Sequence, residues 1–533
     1  MLDHEVVFGK NVIETLSEGM YDNPLFLFRE YVQNAADAID AAVRQGILNE
    51  GEGQIEVAID VDERCITFTD NGTGIPANEV NTMLANIGAS QKNRKEDKGF
   101  RGIGRLGGLG YCQKVRFETS VRGEDITSVF EWDARNLHET LNNPKEKIDA
   151  GELIKWITST RKNRCKNEEH FFKVSLINVN KQSDELLDVE EVRKYLSMVA
   201  PVPFDYAKFP FIHDIEKFLR TNSLPIPHTY RLTLNDDEVH KGYETPLKID
   251  GGKTINIFQV VCRAIAAPDG KALGWYWFGV STFDGVLPKK CWQRNIRLRK
   301  ANIQIGEADC LSNHPKRGDT LWKEDRGNNY FIGEVHALDL DLIPNSRRDY
   351  FNQDEACRHF EKALQDEFRN LDNLYHKASQ ARSAQKAIDD AKKKEEAFRR
   401  ADQGGEFIDS GDKTKKWQEM QDAKKKAESA KKTLKTIQDQ GKENPDFRNV
   451  TEVVVDTITT EEPPPKSRPK ESEAPIPTSL NSAKLLKTGY MKERIPPDVM
   501  KVLKKVFDVL SDKLPAGEAE LLKKEILKEF DKQ

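Results

Sequence analysis

No cysteine pattern organises this chain. Its seven cysteines, Cys65, Cys112, Cys165, Cys262, Cys291, Cys310 and Cys357, are odd in number, and none falls in a CxxC pair. That argues against a disulfide framework or a zinc site and suits reduced thiols in a cytoplasm. Long apolar runs are missing too. No stretch approaches the ~18 residues a membrane helix needs, and Met1–Lys10 lacks the apolar core of a signal peptide. The expectation is a cytoplasmic protein with no membrane partner. An excess of one charge is also lacking. The 83 Lys+Arg against 88 Asp+Glu leave a formal net charge of -5, so nothing global points to nucleic acid. The GxxxxGK[ST] signature of Walker-type ATPases is absent, and so are repeats at solenoid periods.

What the chain does have is length. A chain of 533 residues exceeds what one core can hold, and about three or four domains are expected. Residues 1–185 alternate helical and strand patterns. They comprise a helical stretch around Asn11–Asp40, a polar loop at Gly46–Gly53, and alternating strands at Ile55–Asp60 and Cys65–Thr69. Strand patterns return at Lys114–Ser120, Thr127–Trp132 and Phe171–Val179. Ala77–Gly110, rich in Gly, Asn and Lys, is predicted to be a long mobile loop. Residues 186–354 read as a second α/β domain, with a helix at Val189–Val199 and strands at Ile255–Ala264 and Gly274–Thr282. Residues 355–445 are mostly Ala, Lys, Glu, Asp and Gln. Broken once by DQGGEFIDSGD, they predict two long helices in an antiparallel, coiled-coil hairpin projecting into solvent. Residues 446–480 hold EEPPPKSRPKESEAPIP, a linker, and residues 481–533 recover amphipathic helices. The fold class is α/β, followed by a helical C-terminal region.

Three motifs carry chemistry. In REYVQNAADAID, each helical residue turns by about 100°, so Glu30, Asn34 and Asp37 fall within roughly 60° on one face. Leu25, Phe28, Val32, Ala35, Ala36 and Ile39 take the opposite face. A plain amphipathic surface helix would show the same split; a buried polar face holding a ligand is the alternative. FTDNGTGI follows, with Asp70 at a strand end and Gly72 and Gly74 just beyond, which lets backbone approach a flat ligand closely. By itself this is also an ordinary turn. GFRGIGRLGGLG, Gly99 to Gly110, supplies unblocked backbone N–H groups suited to phosphate oxygens, with Lys98, Arg101 and Arg105 adding charge. A hinge is its bland reading.

In combination and in this order, the three motifs resemble the GHKL superfamily of gyrase, the 90-kDa heat-shock chaperones, histidine kinases and MutL. The chain is most similar to the chaperones. The resemblance implies a Bergerat-type two-layer α/β sandwich that binds ATP and Mg2+, coupled to an α/β transducer domain. It gives Glu30 the role of general base and Asn34 that of magnesium ligand, with Asp37 supporting the site. Asp70 becomes the adenine reader, and Gly72 and Gly74 line the base pocket. In NIGASQK, Ser90 and Lys92 become phosphate-side contacts on a lid. Gly99, Gly102 and Gly104, with Arg101 and Ile103 between them, wrap the phosphates. LIPNSRRDYF, Leu342 to Phe351, is similar to the segment whose arginine reaches the γ-phosphate, which makes Arg348 that arginine and Arg347 the adjacent alternative. RNIRLRKANIQIG resembles a strand and fold-over of the same domain. The family's late Gly-Thr is not visible, and NEEHFFKVSL stands in its region.

The implied function is a slow ATPase acting as a chaperone-like switch. Lid closure over ATP would bring Arg348 into place and pair two chains as a homodimer, and ADP would be the product. The client is unspecified. A DNA-associated clamp of the MutL or microrchidia kind is the rival, through Lys392–Lys394, Lys424–Lys426, Lys431 and Lys432. Interspersed acidic residues make a solvated helix face the simpler reading of those lysines. A non-hydrolysing, ATP-bound scaffold is a third possibility.

Overall fold

The computed structural model describes residues 9–17, 23–87, 104–249, 252–312, 320–443 and 448–459, together with 505–507, 522, 523 and 526. The chain falls into two compact units, Met1–Pro465 and Lys466–Gln533. In the second unit the few described residues are helical, and most of the two stripes expected in 481–533 lies outside them. The sheets and long helices among the described residues belong to the first unit.

The helical stretch expected around Asn11–Asp40 contains two helices, α1 (Asn11–Ser17) and α2 (Phe26–Arg44). Strand β1 (Gln54–Asp60) alternates, with Ile55, Val57 and Ile59 turned into the core. It pairs antiparallel with β2 (Cys65–Asp70), Val57 opposite Phe68. After α3 (Val80–Ala85) come β3 (Cys112–Ser120), β4 (Ile126–Asp133), α4 (Ala134–Leu141), α5 (Ala150–Ile157), β5 (Thr158–Arg164) and β6 (Phe171–Val179). Helices α6 (Val189–Val199) and α7 (Ile212–Thr221) precede β7 (Arg231–Leu234) and β8 (Asp237–Glu238). These strands form one eight-stranded sheet in the order β5-β4-β3-β6-β2-β1-β7-β8. The sheet therefore takes strands from both sides of residue 185. Its inner face packs Phe68, Val115, Val174 and Leu176 against Ile13, Phe28, Val32 and Ile39 of the helices, which makes the two-layer sandwich.

The described part of Ala77–Gly110 is not loop. Val80 and Leu84 bury one side of α3, and a 3-10 helix over Gly104–Gly110 buries Leu106 and Leu109. Apolar residues one turn apart anchor both pieces despite the polar composition.

Further along the chain come a two-stranded ladder of β9 (Leu247–Lys248) and β10 (Thr254–Ile255), then β11 (Gln259–Ala266), β12 (Ala272–Val280), β13 (Asn295–Lys300), β14 (Ile303–Gln304) and β15 (Ile332–Ala337). A five-stranded sheet runs β11-β12-β15-β13-β14, with β13 and β15 parallel. One face carries Tyr276 and Phe278 onto Phe368 and Leu371 of helix α8 (Glu355–Gly404). The other carries Trp275 and Trp277 onto Phe209, Ile215 and Leu219. Helix α8, ~75 Å long at 1.5 Å per residue, ends at Gly405 in the left-handed conformation. It folds back through α9 (Ser410–Glu443), and α10 (Arg448–Thr459) follows. Where α8 and α9 meet, Ala384, Ile388, Ala391, Ala423, Ala427 and Ala430 form a small-residue seam. Lys424 pairs with Glu395 at 2.9 Å and Lys416 with Asp412 at 3.0 Å along the hairpin.

A buried polar network joins the two sheets. Arg299 Nε lies 2.6 Å from Glu334, and its Nη atoms donate to the carbonyls of Met198 and Val199 at the end of α6. Lys241 Nζ donates to Asn302 at 3.1 Å and reaches Glu334 at 3.4 Å, while Asn302 donates to the His228 carbonyl. His336 stacks on Trp275 at 4.2 Å and bonds Glu334 at 3.0 Å. Burial pushes the His336 imidazole from its ordinary 6.5 down to about 4, against the pull of Glu334. Burial opposes ionisation of Glu334, but Arg299 and Lys241 outweigh it and hold the carboxyl well below its usual range.

Between pH 6.5 and 4 the unfolded chain takes up a proton at His336 that the folded chain refuses. Stability from this residue is full above pH 6.5 and is lost as the pH falls toward 4. The loss is at most about 3 kcal/mol. Urea midpoints at pH 7 and pH 5 should show a drop at the lower pH. His336→Gln, which keeps a donor for Glu334 and does not titrate, should flatten that slope. An equal slope in the variant would remove His336 as its origin.

Candidate active site

Helix α2 is buried on both sides. Phe28, Val32, Ala36 and Ile39 fill the core side, yet Arg29, Glu30, Gln33 and Asp37 on the polar side are also buried. The chain enters the helix through Asn23, whose Oδ1 accepts from the Leu25 N–H at 3.0 Å. The Asn23 Nδ2 donates to Glu307 of the second domain at 3.1 Å.

Glu30 sits between two guanidinium groups. Arg29, lying over the Phe26 ring at 4.3 Å, donates to Oε1 at 3.3 Å. Arg348 places its Nε 3.7 Å from the same oxygen, and its Nη1 donates to Gln33 Oε1. Behind the other carboxylate oxygen is Gly104, where a Cβ would come within 2.8 Å of Oε2. Asn34 follows Glu30 by one turn and is half-buried. Its side chain has no hydrogen-bond partner among the described residues, which leaves an amide oxygen available to a hard cation.

A second cluster surrounds Asp70. Its Oδ1 accepts from the Gly72 N–H at 2.9 Å, and the Thr73 N–H reaches the Ala38 carbonyl of α2 at 3.4 Å. A Cβ on Gly72 would meet Ala38 at 2.6 Å and Asp70 Oδ1 at 2.8 Å. Gly74, at φ +69, lies against the Ser120 carbonyl, where a side chain would overlap it. Sequence reasoning missed the supports of this loop. Thr119 Oγ1 accepts from the Ile75 N–H at 2.8 Å and donates to the Phe171 carbonyl at 2.9 Å. His170 Nδ1 donates to the Gly72 carbonyl at 2.9 Å. Asp70 stands opposite Phe172, and Phe172 opposite Thr119, in one row across β2, β6 and β3. The strand expected to carry Gly-Thr therefore presents Phe172 beside Asp70, packed on Phe117 at 5.8 Å.

The arginine segment is tightly held. Pro344 bridges to Phe351, and Arg348 donates its N–H to the Asn345 carbonyl at 3.2 Å while its own carbonyl accepts from the Gly306 N–H at 2.7 Å. Arg348 adopts φ 54, a left-handed value uncommon outside glycine. It is buried, whereas Arg347 is exposed. The structure thus brings Glu30, Asn34, Asp37, Gly104 and Arg348 to one region. Arg348 lies beside Glu30, with its loop held by the hydrogen bond from the Gly306 N–H just beyond β14. Asp70, at the end of the interior strand β2, is followed directly by Gly72 and Gly74. Ser90, Lys92, Gly99, Arg101, Gly102 and Ile103 lie outside the described residues.

Residues 27–170 match the family described as histidine kinase-, DNA gyrase B-, and HSP90-like ATPase. Among curated proteins, the chaperone protein HtpG of Photorhabdus laumondii is 27% identical over 143 residues, covering 24% of this chain and 23% of that protein. HtpG of Escherichia coli K12 is 27% identical over 163 residues, 27% of this chain and 26% of its own length. HtpG of Alcanivorax borkumensis is 28% identical over 145 residues, 23% of each. The match thus spans about a quarter of each relative.

Gly104→Ala should fold, because the nearest atom its Cβ meets is a terminal side-chain oxygen of Glu30 rather than backbone. It should lower ATP turnover by about tenfold or more through misplacement of that carboxylate, and lower nucleotide affinity much less. Parallel calorimetry and phosphate-release assays measure the two. Equal losses in both would place Gly104 in binding alone.

Proposed function

We propose, from the match of residues 27–170 to the histidine kinase-, DNA gyrase B- and HSP90-like ATPases, that this protein binds ATP with Mg2+, hydrolyses it to ADP and phosphate, and uses the cycle as a chaperone-like conformational switch. The observation that carries the reading is the meeting of Arg348 with the Glu30 face of α2. A fixed carboxylate with an arginine beside it is what attack of water on a terminal phosphate requires.

In this reading Glu30 accepts the proton of the attacking water. Arg348 holds the γ-phosphate and stabilises the charge that develops as the bond to the leaving ADP breaks, with exposed Arg347 as the less favoured candidate. Asn34 offers its amide oxygen to Mg2+, which when bound neutralises and orients the phosphates. Asp37 supports this face. Asp70 accepts from the exocyclic amine of adenine, and Gly72 and Gly74 admit the flat base. Gly104 and the preceding Gly99, Arg101, Gly102 and Ile103 surround the phosphates, with Ser90 and Lys92 closing from the lid. Pairing of two chains, and a protein client, follow from the likeness to the chaperones.

Glu30→Ala should retain ATP binding and lose turnover. Phosphate release at an undiminished wild-type rate would remove Glu30 as the general base, and absence of release from the wild type would make ATP a structural ligand instead. Arg348→Ala should cut turnover by about a thousandfold, in line with phosphate-clamping arginines elsewhere, with a smaller change in affinity. If Arg347→Ala gives that loss and Arg348→Ala does not, the roles of the two are exchanged. Asp70→Asn should abolish nucleotide binding in calorimetry, because an amide cannot replace the paired acceptors of the carboxylate. Undiminished affinity would exclude Asp70 as the base reader.

A further inference from the structure

Gln33 lies outside the set that spacing singles out, yet it is the residue that Arg348 touches. On the helix it stands about 60° from Glu30, on the side away from Asn34. It is 1% exposed. Its Oε1 accepts from Arg348 Nη1, and its Nε2 has no hydrogen-bond partner among the described residues. Burying a donor without a partner costs stability. An apolar side chain of the same size would fill this place with no such penalty, which points to a role for the amide oxygen.

That role follows from the competition around the guanidinium. Among the described residues the Arg348 guanidinium faces Gln33 Oε1 and Glu30 Oε1. It makes a hydrogen bond to the neutral one, while its Nε stays 3.7 Å from the charged one. That separation is beyond N–H···O hydrogen-bond range. Arginine beside a carboxylate frequently closes into a bidentate pair. Such a pair would occupy the lone pairs that Glu30 needs for water and turn the guanidinium away from phosphate.

We propose that Gln33 is a positioning residue, which holds the Arg348 guanidinium beside Glu30 while preventing the two from closing on each other. The inference rests on the ATPase reading above. Gln33 itself touches Arg348 and acts through it. The left-handed backbone of Arg348 and its clamp to Gly306 fix the stem of the side chain, and Gln33 fixes its head.

The test is a double-mutant cycle of Gln33→Met, Arg348→Ala and the pair, read as kcat, KM and nucleotide affinity. Gln33→Met should lower kcat about tenfold, within the range of coupling between contacting residues, and leave KM and affinity within about twofold. In the Arg348→Ala background it should change kcat no further. Losses that multiply would overturn the proposal, as would a fall in affinity matching the fall in kcat. Should Gln33→Met fail to fold, Gln33→Glu and Gln33→Lys carry the same comparison. The carboxylate keeps an acceptor for Arg348 and the ammonium repels it, so kcat should be higher in Gln33→Glu, and equal or reversed values would overturn the proposal. A wild-type protein without ATPase activity would remove the functional reading as a whole. An active wild type with independent Gln33 and Arg348 effects would remove only this inference.

Discussion

The contact of Arg348 with Gln33, 315 positions away in the chain, sets it beside Glu30, and the rest of the site is arranged around it. Two guanidinium groups and one carboxylate share a buried space. Such a group of charges is stable only where geometry is fixed, since each is costly to remove from water unless paired. Fixing is supplied from both sides. Alanines along α2 keep it thin and close to the sheet. Gly104 lets the adjacent 3-10 helix approach Glu30 without a side chain between them. The Arg348 loop is closed by its bridge from Pro344 to Phe351.

The second domain does more than deliver one arginine. Arg299 reaches the carbonyls at the end of α6, Asn302 reaches His228, and Asn23 reaches Glu307. Tyr230, just before strand β7 of the first sheet, donates to Asp40 of α2 at 2.5 Å. The Arg299, Asn302 and Asn23 contacts tie the helices and connecting segments of the first layer to the second sheet and the loop beyond it. Buried ionic networks contribute less to stability than to choosing one geometry. Here the geometry chosen is the one that sets Arg348 against α2. A change at α2 therefore has a short mechanical path to the long hairpin, which packs on the same second sheet.

Much of this was legible in the sequence, for reasons that differ by element. Strands β1, β2, β3, β4 and β6 were readable because their apolar residues alternate and one face is buried. Helix α6 was readable from its apolar period, and the hairpin from composition and the Gly404-Gly405 break. β5 was not, because TSTRKNR lies at the sheet edge, almost wholly exposed, with no apolar face to show. Nor was the addition of β7 and β8 to the first sheet, since pairing across more than 150 residues leaves no local signal. Among the site residues, Glu30, Asn34 and Asp37 could be seen through helical spacing. Gln33 was missed because it sits at the rim of that face and its significance depends on a partner in another domain. Thr119 and His170 act only through backbone groups of the glycine turn, which spacing cannot reveal.

The central claim is that α2 and the Arg348 loop together enclose the terminal phosphate of Mg·ATP. A crystal structure of the full chain with a non-hydrolysable ATP analogue tests it most directly. The account predicts the γ-phosphate in contact with Arg348, Glu30 one water away, and the adenine amine on Asp70. A triphosphate bound elsewhere, or this pocket filled by the protein's own side chains, would contradict it.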